Sequence, residues 1–245
     1  MKTLVIIPSR LAATRLPGKP LLKINGLSII SHVVKRAEEA NIGEVYVAAG
    51  DKEIVDEVKK NGGKAILTNI NHKTGTDRIY EAINKIKNKD IELVMNLQGD
   101  EPLMNTNDIK NLQTKMIKTN ADLGTLASNI FDQKILKKKD VVKVITSELL
   151  KVENFPEAIT FKRRLIDKTK NVYHHLGIYC YKLQTLKKFV SLKQSHNEIN
   201  DKLEQLRALD NNIKINVALA KDSPIGVDTE EDFVAIKKIM EYKNK

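Results

Sequence analysis

The strongest constraint on the fold is the order in which two hydrophobic periods alternate along the first half of the chain. Short apolar, β-branched runs at Thr3–Ile7, Glu44–Ala49, Lys64–Leu67 and Leu93–Leu97 take turns with segments of helical period at Ile29–Ala40, Glu53–Lys60, Asp77–Ile86 and Asn107–Lys118. In the first helical segment Ile29, Ile30, Val33, Val34 and Ala37 share one face, and Lys35, Arg36, Glu38 and Glu39 take the other. Such repetition implies an α/β fold, a mostly parallel, Rossmann-like sheet flanked by helices and joined by right-handed crossovers. After residue 120 the order loosens into an α+β extension. Its strands are expected at Leu123–Ala127, Val141–Ile145, Ala158–Phe161 and Leu176–Tyr181, and its helices at Gln184–Val190 and Asn197–Leu209. A last strand, Lys214–Leu219, and helix, Glu230–Tyr242, point to a return to the main sheet. With no linker or low-complexity stretch, the 245 residues read as one domain. It comprises a nucleotide-binding half (1–120), the extension (121–212) and the return (213–245).

Within this frame the most informative loop comes after the first strand, from Ile6 to Pro20. Pro8 is expected to end the strand, and Pro17-Gly18 and Pro20 stiffen the far end of the loop. The carboxyl end of a strand is where open α/β sheets bind ligands. Neither GxGxxG nor GxxxxGK[ST] occurs here, so Arg10, Arg15 and Lys19 must do the phosphate work. A surface loop kept soluble by its charges is the plainer explanation, but composition weighs against it. Of 42 basic residues only seven are Arg, so Arg marks places where a planar fork is needed, and two of the seven stand five residues apart in this loop.

Three further groups carry chemistry. Asn96-Leu97-Gln98-Gly99-Asp100-Glu101-Pro102 places a carboxylate and a Gly at another strand end, a candidate magnesium site that needs a second acid. Asp228, in Gly226-Val227-Asp228-Thr229, is that second acid or a helix cap; Thr229 can cap instead and release it. In Thr74-Gly75-Thr76-Asp77-Arg78, Thr76 or Asp77 caps a helix. Arg78 gains nothing from the macrodipole at a helix amino end, which suits a ligand contact, and an ordinary capped helix is the equal alternative. In the extension, alternation puts His175, Gly177 and Tyr179 on one strand face, a polar face suited to a cleft, with Arg163 and the helical stretch Leu203-Glu204-Gln205-Leu206-Arg207 nearby in sequence.

Composition excludes several classes. No run of 18 apolar residues exists and the amino terminus enters a strand directly, so a cytoplasmic protein is expected, with no membrane partner. The single Cys180 lies in an apolar run and reads as a buried thiol. The net charge of +11 is spread along amphipathic helices and not gathered into a stripe with aromatics, which argues against nucleic acid as a partner.

Taken together and in order, these motifs resemble the bacterial 3-deoxy-manno-octulosonate (Kdo) cytidylyltransferases, or CMP-Kdo synthetases, nearly end to end. The resemblance implies transfer of CMP from CTP to the anomeric hydroxyl of Kdo, for lipopolysaccharide biosynthesis, with Mg2+ as cofactor. It further implies that Arg10, Arg15 and Lys19 hold the triphosphate and that Asp100 and Asp228 bind the metal. Thr74, Arg78 and Gln98 would surround the nucleotide. Gln98, Arg163, His175, Tyr179, Glu204 and Gln205 would form the sugar pocket, with Arg163 facing the Kdo carboxylate, and the extension would form a homodimer interface. Two departures bear on the sugar. Lys162 stands where family members commonly carry Ser, and Asp201 where they often carry Glu. The 8-amino analogue of Kdo, another sugar acid such as sialate, and a non-enzymatic basic nucleic-acid binder are the alternatives.

Overall fold

The computed structural model describes residues 1–12, 15–86, 90–165 and 170–242, which fall into two compact units. One comprises residues 2–107 and 224–245, the other residues 108–223 with Met1. The second unit thus begins before residue 120 and runs past 212.

In the first unit β1 (Lys2–Ser9) is followed by the short hairpin β2 (Lys23–Ile24) and β3 (Leu27–Ser28), then α1 (Ile29–Glu39), β4 (Glu44–Ala49), α2 (Lys52–Lys60), β5 (Ala65–Leu67), α3 (Gly75–Lys85) and β6 (Ile91–Asn96). Strands β6, β1, β4 and β5 lie side by side, all parallel. This is the arrangement that the alternating periods imply. β1 is central and buried from Thr3 to Ile7, as an apolar run covered on both faces must be. The expected end of this strand at Pro8 is corrected: pairing with β4 continues through Pro8↔Ala48 to Ser9↔Ala49. Pro8 is tolerated because the β6 ladder stops at Ile6↔Asn96, so the missing N–H falls where β1 has become an edge.

Helix α1 starts at Ser28, whose hydroxyl accepts from the Ser31 N–H, and buries Ile29, Ile30, Val33, Val34 and Ala37 on the expected face. Ile54, Val55 and Val58 do the same for α2.

Helix α4 (Thr106–Thr119) leads into the second unit. There β7 (Leu123–Ser128), β8 (Lys143–Thr146), β9 (Ala158–Lys162) and β10 (Val172–Lys182) precede α5 (Leu183–Ser191), α6 (His196–Asp201), α7 (Leu206–Asp210) and β11 (Asn216–Leu219). β10 pairs antiparallel with both β7 and β8, β8 antiparallel with β9, and β11 parallel with β7. The single helix expected over Asn197–Leu209 is two helices. Lys202 adopts a left-handed conformation (φ 52°) that caps α6, so Leu203, Glu204 and Gln205 form a turn ahead of α7. The Lys137-Lys138-Lys139 run is the exposed end of a 3-10 turn, as its charge predicts.

The chain re-enters the first unit before α8 (Glu230–Tyr242), where Val227 and Ile236 join Ile24 and Ile29 in a core that Leu16, Leu22, Leu103, Phe233 and Met240 flank.

Gly43 tests this packing. A Cβ there would lie 2.0 Å from the Thr3 carbonyl oxygen, a backbone atom that cannot swing away. Gly43→Ala should therefore lower unfolding free energy by about 1–3 kcal/mol in urea titrations. An unchanged midpoint would contradict this close approach of the chain to β1.

Candidate active site

The loop after β1 is held at both ends by the backbone. The Leu11 N–H donates to Asp51 Oδ2 (2.8 Å), and the Gly18 N–H returns to the Leu11 carbonyl (3.3 Å). Gly18 takes a left-handed conformation (φ 69°) and leads into a 3-10 turn at Lys19–Leu21. Ala13 and Thr14 of this loop lie outside the described residues.

Beside it, the loop after β6 comes so close that a Cβ at Gly99 would lie 3.0 Å from the Pro8 carbonyl. The loop before α8 is tied to the β6 loop by the Val227 N–H donating to the Asp100 carbonyl (2.9 Å), which brings Asp228 beside Asp100. Thr229 caps α8, its hydroxyl accepting from the Asp232 N–H while Asp232 accepts from the N–H groups of Asp228 and Thr229. The Asp228 carboxylate is thereby released from capping.

Opposite charges then interlock. Lys19 Nζ lies 2.6 Å from Asp100 Oδ2 and 3.3 Å from Asp228 Oδ1, and Arg15 lies 3.1 Å from Asp228 Oδ2. The cations and acids read separately from the sequence form one network. It borders a cavity of about 390 Å³ lined also by Arg10, Thr74, Arg78 and Gln98. All eight first-unit residues assigned to nucleotide or metal meet here.

Next to the pair, burial, with the charges of Asp100 and Asp228, pushes the Glu101 carboxyl up to about 8, and its Oε2 has no partner among the described residues. Two carboxylates that share one ammonium, with a third carboxyl behind them, are a hard-oxygen set that fits magnesium. Among the described residues no group of three or more His, Cys, Asp or Glu is arranged to hold a metal, so phosphate and water would complete the shell.

Two of these residues are committed in ways the sequence did not reveal. Thr74, not Thr76 or Asp77, caps α3, accepting from the Asp77 N–H and donating to Asp77 Oδ2. Arg78 is buried and donates to Thr68 Oγ1 (2.6 Å) and the carbonyls of Asn69 and Ile70, so it shapes the cavity wall as well as facing it. Burial and the nearby Arg10 charge lower its pKa. Ser9, His72 and Lys73 also line the cavity without having been singled out, and Ser9 Oγ is buried with no partner among the described residues. Adjacency to Arg10 was the available signal for Ser9; His72 and Lys73 had none.

In the second unit Arg163 donates from Nε to the Asp201 carbonyl (2.8 Å), from one terminal nitrogen to Lys202 (2.9 Å) and from the other to Lys139 (3.3 Å). It lines a basic cavity with Lys162, Arg164 and Lys202, where Lys162 stands 3.8 Å from Asp201. His175 departs from the polar cleft face expected of it. It is 8% exposed, packs edge-on against Phe161 and beside Tyr179, and shares a hydrogen bond with Thr125 Oγ1 (3.0 Å). Burial, helped by His174, lowers its pKa to about 3, so the ring is neutral. Burial likewise pushes the Tyr179 phenol up. Glu204 lies 3.7 Å from Arg207, and Gln205 is buried beside it in the turn. Neither cavity includes His175, Tyr179, Glu204 or Gln205 among its lining residues.

The cavity at the parallel strand ends, walled by cations and a carboxylate pair, has the charges that transfer of a nucleotidyl group requires. The cytidylyltransferase family model matches residues 4–215. A 3-deoxy-manno-octulosonate cytidylyltransferase of Rhodopseudomonas palustris (strain BisB18) is 41% identical over 243 residues, 98% of each chain, and one from Bradyrhizobium sp. (strain BTAi1 / ATCC BAA-1182) is 41% identical over 241 residues, 98% of this chain and 97% of that one. Among solved structures, a CMP:2-keto-3-deoxy-manno-octonic acid synthetase complexed with CTP superposes with a TM-score of 0.89 at 32% identity, covering 99% of this chain and 100% of its own. The chain belongs to the 3-deoxy-manno-octulosonate cytidylyltransferase family. Among the described residues no helix is long and apolar enough to cross a membrane.

The buried His175 makes stability depend on pH. Below the ordinary value of 6.5 the unfolded chain takes up a proton that the folded ring, with its pKa near 3, refuses. Stability therefore falls as pH drops through that window, by about 2 kcal/mol between pH 7 and pH 5 from this group. Urea midpoints measured across this range should fall less for His175→Gln than for the native chain.

Proposed function

We propose that the protein activates Kdo with CTP, giving CMP-Kdo and pyrophosphate, as a cytoplasmic step of lipopolysaccharide biosynthesis. The observation that carries this is the shared network of Lys19, Arg15, Asp100 and Asp228 at the mouth of the strand-end cavity. The family relatives named above supply the substrate pair. The anomeric oxygen of the sugar forms a bond to the α-phosphorus of CTP. The bond from that phosphorus to the bridging oxygen of pyrophosphate breaks, and the hydroxyl proton leaves to water.

Arg10, Arg15 and Lys19 neutralise charge that develops on the departing pyrophosphate. Asp100 and Asp228 would hold magnesium, which supplies positive charge to the phosphate oxygens. Thr74, Arg78 and Gln98 enclose the nucleotide, with Gln98 also reaching the sugar. No general base is required of the chain, because positioning and fixed charge lower most of the barrier.

Arg163 meets the sugar carboxylate. Among the described residues three of its five N–H donors are engaged by main-chain carbonyls, and the other two serve the ligand. His175, Tyr179, Glu204 and Gln205 line neither cavity, and their place at the sugar end rests on family likeness. Lys162 and Asp201, the two departures from the family pattern, stand 3.8 Å apart at the Arg163 cavity, so both Kdo and its 8-amino analogue are substrates to be compared. Assembly as a homodimer through the second unit is part of the same reading and rests on family likeness.

Pyrophosphate release with CTP and magnesium should occur with Kdo or with 8-amino-Kdo and be absent with sialic acid. Activity with none of the three, beside tight RNA binding that falls steeply with salt, would overturn the reading. Asp100→Asn should keep its circular dichroism spectrum yet lose at least ~100-fold in turnover. Near-normal turnover at saturating magnesium would remove Asp100 from the metal site.

A further inference from the structure

Lys143, the first residue of β8, is wholly buried and takes no part in the reaction proposed above. Its Nζ donates to three main-chain carbonyls: Lys138 (2.6 Å), Val141 (2.7 Å) and Arg163 (2.6 Å). An ammonium has three hydrogens, so these three acceptors use all of them. Burying a cation this way is costly, the more so with the Arg163 and Arg164 charges near it, and both effects lower its pKa. A methionine or leucine would fill the same space but leave three main-chain carbonyls without this donor, so the lysine serves the bonds more than the packing.

Geometry supplies one. Two of the three carbonyls belong to the 138–141 segment, and the third belongs to Arg163, just past the end of β9. From there the Arg163 side chain reaches back to the Lys139 carbonyl and across to the carbonyls of Asp201 and Lys202. Lys143 and Arg163 thus clasp three segments with six hydrogen bonds, and the Lys143 end fixes the main chain from which the guanidinium projects.

We propose that Lys143 is a positioning residue for the acid-sugar end of the reaction: by fixing the main chain at Arg163 it sets where the guanidinium meets the substrate carboxylate. This rests on the reading that gives Arg163 to that carboxylate. It assigns Lys143 no contact with substrate and no effect on the nucleotide.

The test measures kinetics for Lys143→Met, Arg163→Met and the double variant, with both substrates varied. Lys143→Met should raise KM for Kdo by about 10- to 100-fold while KM for CTP stays within about twofold, as expected when a binding group is displaced. The double variant should be no worse than Arg163→Met, because Lys143 acts through Arg163. Lys143→Gln, which keeps two of the three donors, should fall between Met and the native residue, and it carries the test if the Met variant does not fold.

Unchanged KM for Kdo in a folded Met or Gln variant, equal rises in both KM values, or multiplied effects in the double variant would overturn the proposal. So would failure of both single variants to fold, which would leave Lys143 a residue of stability alone. Arg163→Met with a normal KM for Kdo would instead remove Arg163 from the carboxylate, whatever the Lys143 variants do.

Discussion

Carboxylates do not gather at the end of a strand unless something offsets their repulsion, and here Lys19 does so by standing between Asp100 and Asp228. That contact depends on backbone features far apart in sequence. Gly18 must adopt its left-handed conformation to begin the turn that presents Lys19, and the Val227 N–H must reach the Asp100 carbonyl to bring the second acid in. Thr229 must cap α8 so that Asp228 need not. Glu101 shows the alternative: buried beside the pair without a cation, it keeps its proton up to about pH 8. The same opposed charges that organise the site are the ones that the proposed function assigns to phosphate and to a divalent cation.

The remaining cations are used in a different way. Arg78 holds Thr68, Asn69 and Ile70, Arg163 holds three carbonyls, and Lys143 holds three more. Arg207 forms a two-bond pair with Glu198 and lies over the Phe189 ring. Scarcity of Arg was a sound guide to places where a planar fork is needed, but a folded loop full of carbonyls needs that fork as much as a ligand does. Composition cannot tell the two apart, because both demand several donors in one plane.

Legibility followed locality. Strand β4 and helix α8 run over the expected residues, and the other periodic segments differ at their ends by a few residues, because alternation and amphipathic spacing are properties of neighbouring side chains. Where the reading failed, a long-range or backbone term had decided. Pro8 stays in its strand because β6 has already ended. One helix became two because Lys202 turned left-handed to place Glu204 and Gln205 in a turn. His175 and Tyr179 do share a side, but a bulge after Leu176 and the ring of Phe161 make it an aromatic contact and not an open polar face. Lys143 gave no signal at all, since one Lys among 35 is invisible until its three acceptors are seen.

By itself, the sequence determined the α/β class of the amino-terminal half, the family, and eight of the residues that border the strand-end cavity, because periodicity and motif order are written in consecutive residues. Tertiary structure alone decided which charges meet, which polar groups are spent on capping, and which cation is buried. Those outcomes depend on distances between residues up to 209 positions apart, such as Lys19 and Asp228. Coulombic and hydrogen-bond energies act through space, and only the folded chain sets that spacing.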